Sequence, residues 1–117
     1  MKSSVERDCY RLLQQIVVER DKVCVRCLEN PSACGHHIFT RSRPVTAFLP
    51  EAVIGLCTDC HNWAQRNPNL AAMLAISVLG ERKYEKLARL SLEVRRYRPA
   101  DFREIRQGLR MELKGVG

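Results

Sequence analysis

In the stretch "CTDCHNWAQRNP", Cys57–Pro68, two cysteines enclose two residues, a histidine follows the second cysteine at once, and an Asn-Pro pair comes soon after. The Cys57-x-x-Cys60 spacing is that of a clip that places two sulfurs on one side of a tight turn, where a tetrahedral ion takes them. The same spacing occurs earlier in "CVRC", Cys24–Cys27. Residues 28–56 leave room for a two-stranded excursion between the clips. The four thiolates of Cys24, Cys27, Cys57 and Cys60 are therefore expected to form one closed zinc site that ties the ends of the excursion together. Such a site is structural, is worth on the order of 10 kcal/mol to folding, and leaves no open position for a substrate.

The 117 residues have the size of one domain. Twenty Lys and Arg against 13 Asp and Glu give a formal charge of +7, which points to a polyanionic partner, with nucleic acid first and an anionic membrane surface second. The opening "MKSSVERDCYRLL" carries polar and charged residues where a signal peptide has its apolar core, and no run reaches the length of a membrane span. The expectation is a cytoplasmic protein in a reducing compartment, not in a membrane. Disulfides are disfavoured there, so metal binding is the leading use of closely spaced cysteines. Cys9, on an apolar helix face, reads as a small buried hydrophobe. Cys34 lies close enough to the histidines to replace one member of the quartet, and reads as a spare thiol.

Outside the clips the signals are helical. Ser3 and Glu6 have capping-box spacing, and Val5, Cys9, Leu12, Leu13 and Ile16 fall on one helical face, predicting a helix that ends near Arg20. Between Val23 and Cys60 short apolar pieces alternate with Asn30-Pro31, Gly35, Pro44, Pro50 and Gly55, as short strands and loops do. Asn67-Pro68 reads as an N-cap with proline in the first turn, and Gly80 ends an apolar run, "LAAMLAISVL", expected to be largely buried. A further helix is predicted with a stripe of Leu87, Leu90, Val94 and Tyr97, closed by Pro99. A last one carries Phe102, Ile105, Leu109 and Leu113, with Arg103, Arg106, Arg110 and Lys114 on a neighbouring basic stripe. The chain is read as one domain, 1–117, with an N-terminal helix (1–22), a metal-stapled core (23–66) and a helical C-terminal extension (67–117).

All three histidines stand beside cysteines. His36 and His37 are adjacent in "GHHIFTRSR", Gly35–Arg43, on an extended segment, so their side chains leave on opposite faces. His61 follows the last thiolate at the start of a helix that the clips would hold against this strand. A metal ligand on each side with a general base between them is one use of such a set; packing against the zinc site is the other.

The pattern "CVRC…GHHIFTRS…IGLCTDCHNWAQRNP" resembles the HNH endonucleases, in particular a zinc-stapled subgroup of bacteriophages and prophages, over roughly residues 24–80. The resemblance implies an α+β fold with a small ββα-metal core and a structural four-cysteine zinc site, flanked by the N-terminal helix and the C-terminal helices. It implies a DNA endonuclease that hydrolyses phosphodiester bonds with one catalytic divalent ion, Mg²⁺ or Mn²⁺, beside the structural Zn²⁺. His37 would be the general base, and His36 and His61 would hold the catalytic ion. The family's middle asparagine, which orients the base, falls at Ala52, leaving Glu51 or a backbone carbonyl for that task; Asn62, beyond the last cysteine, is a weaker candidate. Gln65 stands where the subgroup often has another histidine and would be a weak ligand. Arg41, Arg43 and Arg66 would surround the scissile phosphate, and Trp63 would pack beneath the helix. The alternative is a DNA-binding module of the same fold that has lost cleavage.

Overall fold

The computed structural model describes residues 2–116, and they form a small α+β domain. Its elements are α1 (Ser4–Arg20), β1 (Cys34–His37), a 3-10 turn (Pro50–Ala52), β2 (Val53–Leu56), α2 (Thr58–Arg66), α3 (Pro68–Leu79), α4 (Glu81–Ser91) and α5 (Pro99–Val116). The Ser3 hydroxyl accepts the Glu6 N–H at 3.1 Å, so α1 starts at the expected cap. One side of the α1 stripe, Cys9, Leu12 and Ile16, packs against Phe102, Ile105, Leu109 and Leu113 of α5. The other, Leu13 and Val17, packs on Val53 of β2. Cys9 is fully buried, and its Sγ lies 3.4 Å from the Phe102 carbonyl.

The strands pair antiparallel, with Gly35 opposite Gly55 and His36 opposite Ile54. Both glycines are required by close approach. A Cβ on Gly35 would lie 2.8 Å from Val53 Cγ1, and one on Gly55 would lie 2.7 Å from Asp21 Cβ. A helix can therefore rest directly on this face of the sheet. On the opposite face Ile54 and Leu56 join Cys24, Cys57, Cys60, Ala64 and Ala71 in a second core that encloses the cysteines.

Two helical expectations need correction. The apolar run in α3 is not largely buried: Ala71 and Ala75 are, whereas Leu70 is 48% and Met73 65% exposed. Hydropathy reports what a helix tolerates, but burial needs a neighbour, and α3 meets the cysteine core through Ala71 and the half-buried Leu74. The α4 stripe also stops short. The helix ends at Ser91, whose hydroxyl donates to the Ala88 carbonyl at 2.6 Å, and Val94 is 93% exposed. Tyr97 belongs to the α5 core instead, with its hydroxyl donating to the Pro44 carbonyl at 2.8 Å and its ring against Phe102. Pro99, expected to close a helix, opens α5; its first turn is fixed by the Asp101 carboxylate, which accepts the Arg98 N–H at 2.7 Å.

Candidate functional site

The four clip cysteines converge: single Sγ atoms of Cys24, Cys27, Cys57 and Cys60 all lie within 4.8 Å of one another. Sulfurs about 2.3 Å from a shared tetrahedral ion would be about 3.8 Å apart, so the cluster could hold one. Local backbone turns aim them. The Leu28 N–H donates to the Cys24 carbonyl at 3.0 Å, closing the first clip, and this turn leaves Leu28 in the left-handed region at φ 58°. The second clip is the start of α2, where Cys57 is the N-cap and its Sγ accepts the Cys60 N–H at 3.5 Å. That hydrogen bond is the main reason the Cys57 thiol is held below its ordinary value. Burial pushes the Cys60 thiol up to about 12, opposed by the Arg26 guanidinium, which donates to its Sγ at 3.5 Å. Arg26 also lies 3.6 Å over the Trp63 ring, clasping the first clip to α2. Trp63 is half-buried against the cysteine core. An all-sulfur donor set suits zinc over magnesium or calcium. Cys34 lies outside the quartet; its Sγ is 3.7 Å from the Leu56 carbonyl, and burial raises its thiol.

Beside this cluster opens a cleft of about 450 Å³ bordered by His36, His37, His61 and Gln65, with Arg41, Cys34, Gly35 and Gln14 completing its wall. The strand alternation places the first two histidines as expected. His36 turns toward α2, its ring centroid 5.5 Å from that of His61. Burial first, then the neighbouring His61 and His37, pushes His36 down to about 4, so its ring is neutral near pH 7 and free to donate a lone pair to a metal. His37 turns toward α1, with its ring 6.2 Å edge-on from Tyr10. Its Nε2 lies 2.9 Å from the Ala47 carbonyl. A carbonyl only accepts, so the proton sits on Nε2 and Nδ1 keeps its lone pair. Burial holds His37 below the ordinary histidine range despite that hydrogen bond.

Ala47 thus supplies the backbone carbonyl that orients His37. Ala52 is buried at the end of the 3-10 turn, where its carbonyl accepts the Ile38 N–H at 3.0 Å, while Glu51 is exposed. Asn62 is exposed on α2, away from the cleft wall. Arg41 borders the cleft; Arg43 and Arg66 are exposed outside its wall. In the basic stripe of α5, Arg106 is engaged with Asp8 at 3.0 Å.

Two cleft neighbours on α1 carry no sequence signal of their own. Tyr10 and Gln14 are one helical turn apart beside an apolar stripe, and only the docking of α1 on β1 brings them to the histidines. Among the described residues no helix is long and apolar enough to cross a membrane. No protein-family model, curated protein or solved structure matches the chain.

Proposed function

We propose that this protein is a metal-dependent nuclease of the HNH type, hydrolysing DNA phosphodiester bonds in the His36–His37–His61 cleft of a ββα-metal core stapled by zinc at the four cysteines. The observation that carries this reading is the division of labour among the histidines. The His36 ring, neutral near pH 7, and the His61 ring stand edge-to-face with centroids 5.5 Å apart at the cleft, and a third imidazole, His37, tied at Nε2 to the Ala47 carbonyl, presents Nδ1 as a base.

His36 and His61 would hold the catalytic ion, with the Gln65 amide oxygen one turn along α2 as a weak third donor. The ion, when bound, supplies charge neutralisation at the phosphate and at the departing oxygen. His37 Nδ1 takes a proton from water; the water oxygen bonds to phosphorus, and the P–O3′ bond breaks, its electron pair leaving with the 3′ oxygen. The Ala47 carbonyl holds the imidazole in the tautomer this step needs and stabilises the imidazolium that results. Arg41 attracts the substrate phosphate. Two imidazoles without a carboxylate favour Mn²⁺ and later transition ions over Mg²⁺, which prefers all-oxygen sites.

Incubation of supercoiled plasmid with protein and Mn²⁺ or Mg²⁺ tests the reading, with nicked or linear product expected and more of it in Mn²⁺. The absence of a carboxylate ligand, together with Ala52 in the asparagine position, favours a second reading: a fold that binds DNA and does not cut it. DNA binding with no product under any divalent ion would select that second reading.

A further inference from the structure

Tyr10 stands where three groups meet. The Lys2 ammonium lies 4.5 Å and the Arg41 guanidinium 4.7 Å from the centre of its ring. The same ring stands edge-to-face with that of His37, their centroids 6.2 Å apart. Two cations from distant parts of the chain are thus gathered on one aromatic side chain, and one of them, Arg41, borders the cleft. Neither has a carboxylate partner within ion-pair distance among the described residues, where the acidic partners belong to Arg11, Arg20, Arg89, Arg98 and Arg106. The ring quadrupole attracts each cation but neutralises neither. The result is a cationic pair held in place with its charge unspent, beside the histidine that faces the substrate.

We infer that Lys2, Tyr10 and Arg41 form a phosphate-binding subsite for a backbone phosphate adjacent to the scissile one, so that α1 takes part in holding the nucleic acid. This rests on the reading of the cleft as a nucleic-acid site, but concerns binding and not cleavage. Tyr10 acts as a positioning residue. Its ring fixes where the two cations stand and is itself fixed by the Phe48 ring, 4.7 Å away in the α1–α5 core. Both cations are exposed, as groups that exchange hydration for a phosphate oxygen must be.

The test is fluorescence anisotropy of a labelled DNA duplex with zinc-loaded protein and no added divalent ion, across roughly 50–200 mM salt. Lys2→Ala and Arg41→Ala should each reduce the slope of log affinity against log salt by about 0.9, and the double variant by about twice that. Tyr10→Phe, which keeps the ring, should bind as wild type. Tyr10→Leu, with unchanged thermal stability, should weaken binding several-fold although both cations remain. A double variant with the wild-type slope overturns the subsite, and does so whether or not the protein cuts plasmid. A reduced slope in a protein that cuts nothing sustains the subsite while the nuclease reading fails. Wild-type protein that binds no duplex at the lowest salt, about 50 mM, overturns it as well.

Discussion

Gln14 pairs with Gly35 as a neighbouring strand would: its amide oxygen accepts the Gly35 N–H at 2.6 Å and its amide nitrogen donates to the Gly35 carbonyl at 3.2 Å. At the far end of α1, the carboxylate of the C-cap, Asp21, accepts the N–H of Gly55, the partner of Gly35, at 2.9 Å. Side chains of one helix thus occupy the outer edges of both strands, and fix the strand that carries His36 and His37.

Gly35→Ala should destabilise the protein by about 1–3 kcal/mol, because the new methyl meets Val53 at the α1–sheet contact. Gln14→Ala should cost about 1–2 kcal/mol by leaving two strand groups unpartnered. Urea denaturation measures both; a Gly35→Ala protein as stable as wild type would show that α1 can lift away without loss.

His37→Ala should lower cleavage by about 10²–10⁴-fold while keeping fold and DNA affinity. Losses in His36→Ala and His61→Ala should be partly recovered by raising Mn²⁺, since these variants lose ligands and not the base. Rates titrated against the ion decide between the roles; rescue of His37→Ala by metal would reverse the assignment within the pair.

Protein purified without added metal should contain one zinc per chain by elemental analysis, and Cys57→Ser should unfold the segment from the first clip to α2. Arg26→Ala should keep the zinc but release it to a chromophoric chelator about 10-fold faster, because the clasp from Cys60 to Trp63 is gone. Unchanged release would assign Arg26 to the surface.

Stability should fall in mild acid. His36, pushed down to about 4 in the fold, stays neutral where the unfolded imidazole, near 6.5, is already protonated. From about pH 6.5 down to 4 the unfolded chain binds more protons, so the contribution is complete above that window and is lost as pH falls through it. His37, lowered by burial, acts in the same direction. For a partly exposed ring the His36 share is on the order of 1–2 kcal/mol after solvent screening. Denaturation at about pH 7.5 and about pH 5 should show a smaller drop for His36→Gln than for wild type; parallel losses would place the effect elsewhere.

Leu28→Asn should stabilise the zinc-loaded protein by about 0.5–1 kcal/mol, because asparagine tolerates the left-handed backbone better. Leu28 is 73% exposed, so little burial is lost. A lower melting temperature would mean that the leucine makes a contact worth more than the strain.

The parts of the fold legible in the sequence were those set by local chemistry. Ser3 caps α1, the paired Cys-x-x-Cys clips converge, and strand alternation sends His36 and His37 to different helices. The remainder depended on what meets what. The exposure of Leu70 and Met73 follows from the lack of a further layer over α3, which hydropathy does not report. Tyr97 left the α4 stripe because Phe48, from a distant segment, and Phe102, in the first turns of α5, offered an aromatic pocket. The Ala47 carbonyl had no signature, since every residue carries one. Tyr10 and Gln14 reached the cleft through docking of α1, a tertiary event.

The pairing of α1 with α5 also has a temporal side. Cys9 and Phe102, in contact in the fold, are 93 residues apart in the chain. At ordinary synthesis rates of about 5–20 residues per second, the apolar stripe of α1 waits roughly 5–20 s for the surface that covers it. The second cysteine clip is finished only when residue 60 has been made, and from then until Phe102 the α1 wall of the cleft still has no α5 to brace it. The order of synthesis would thus postpone assembly of the cleft until the last helix has left the ribosome.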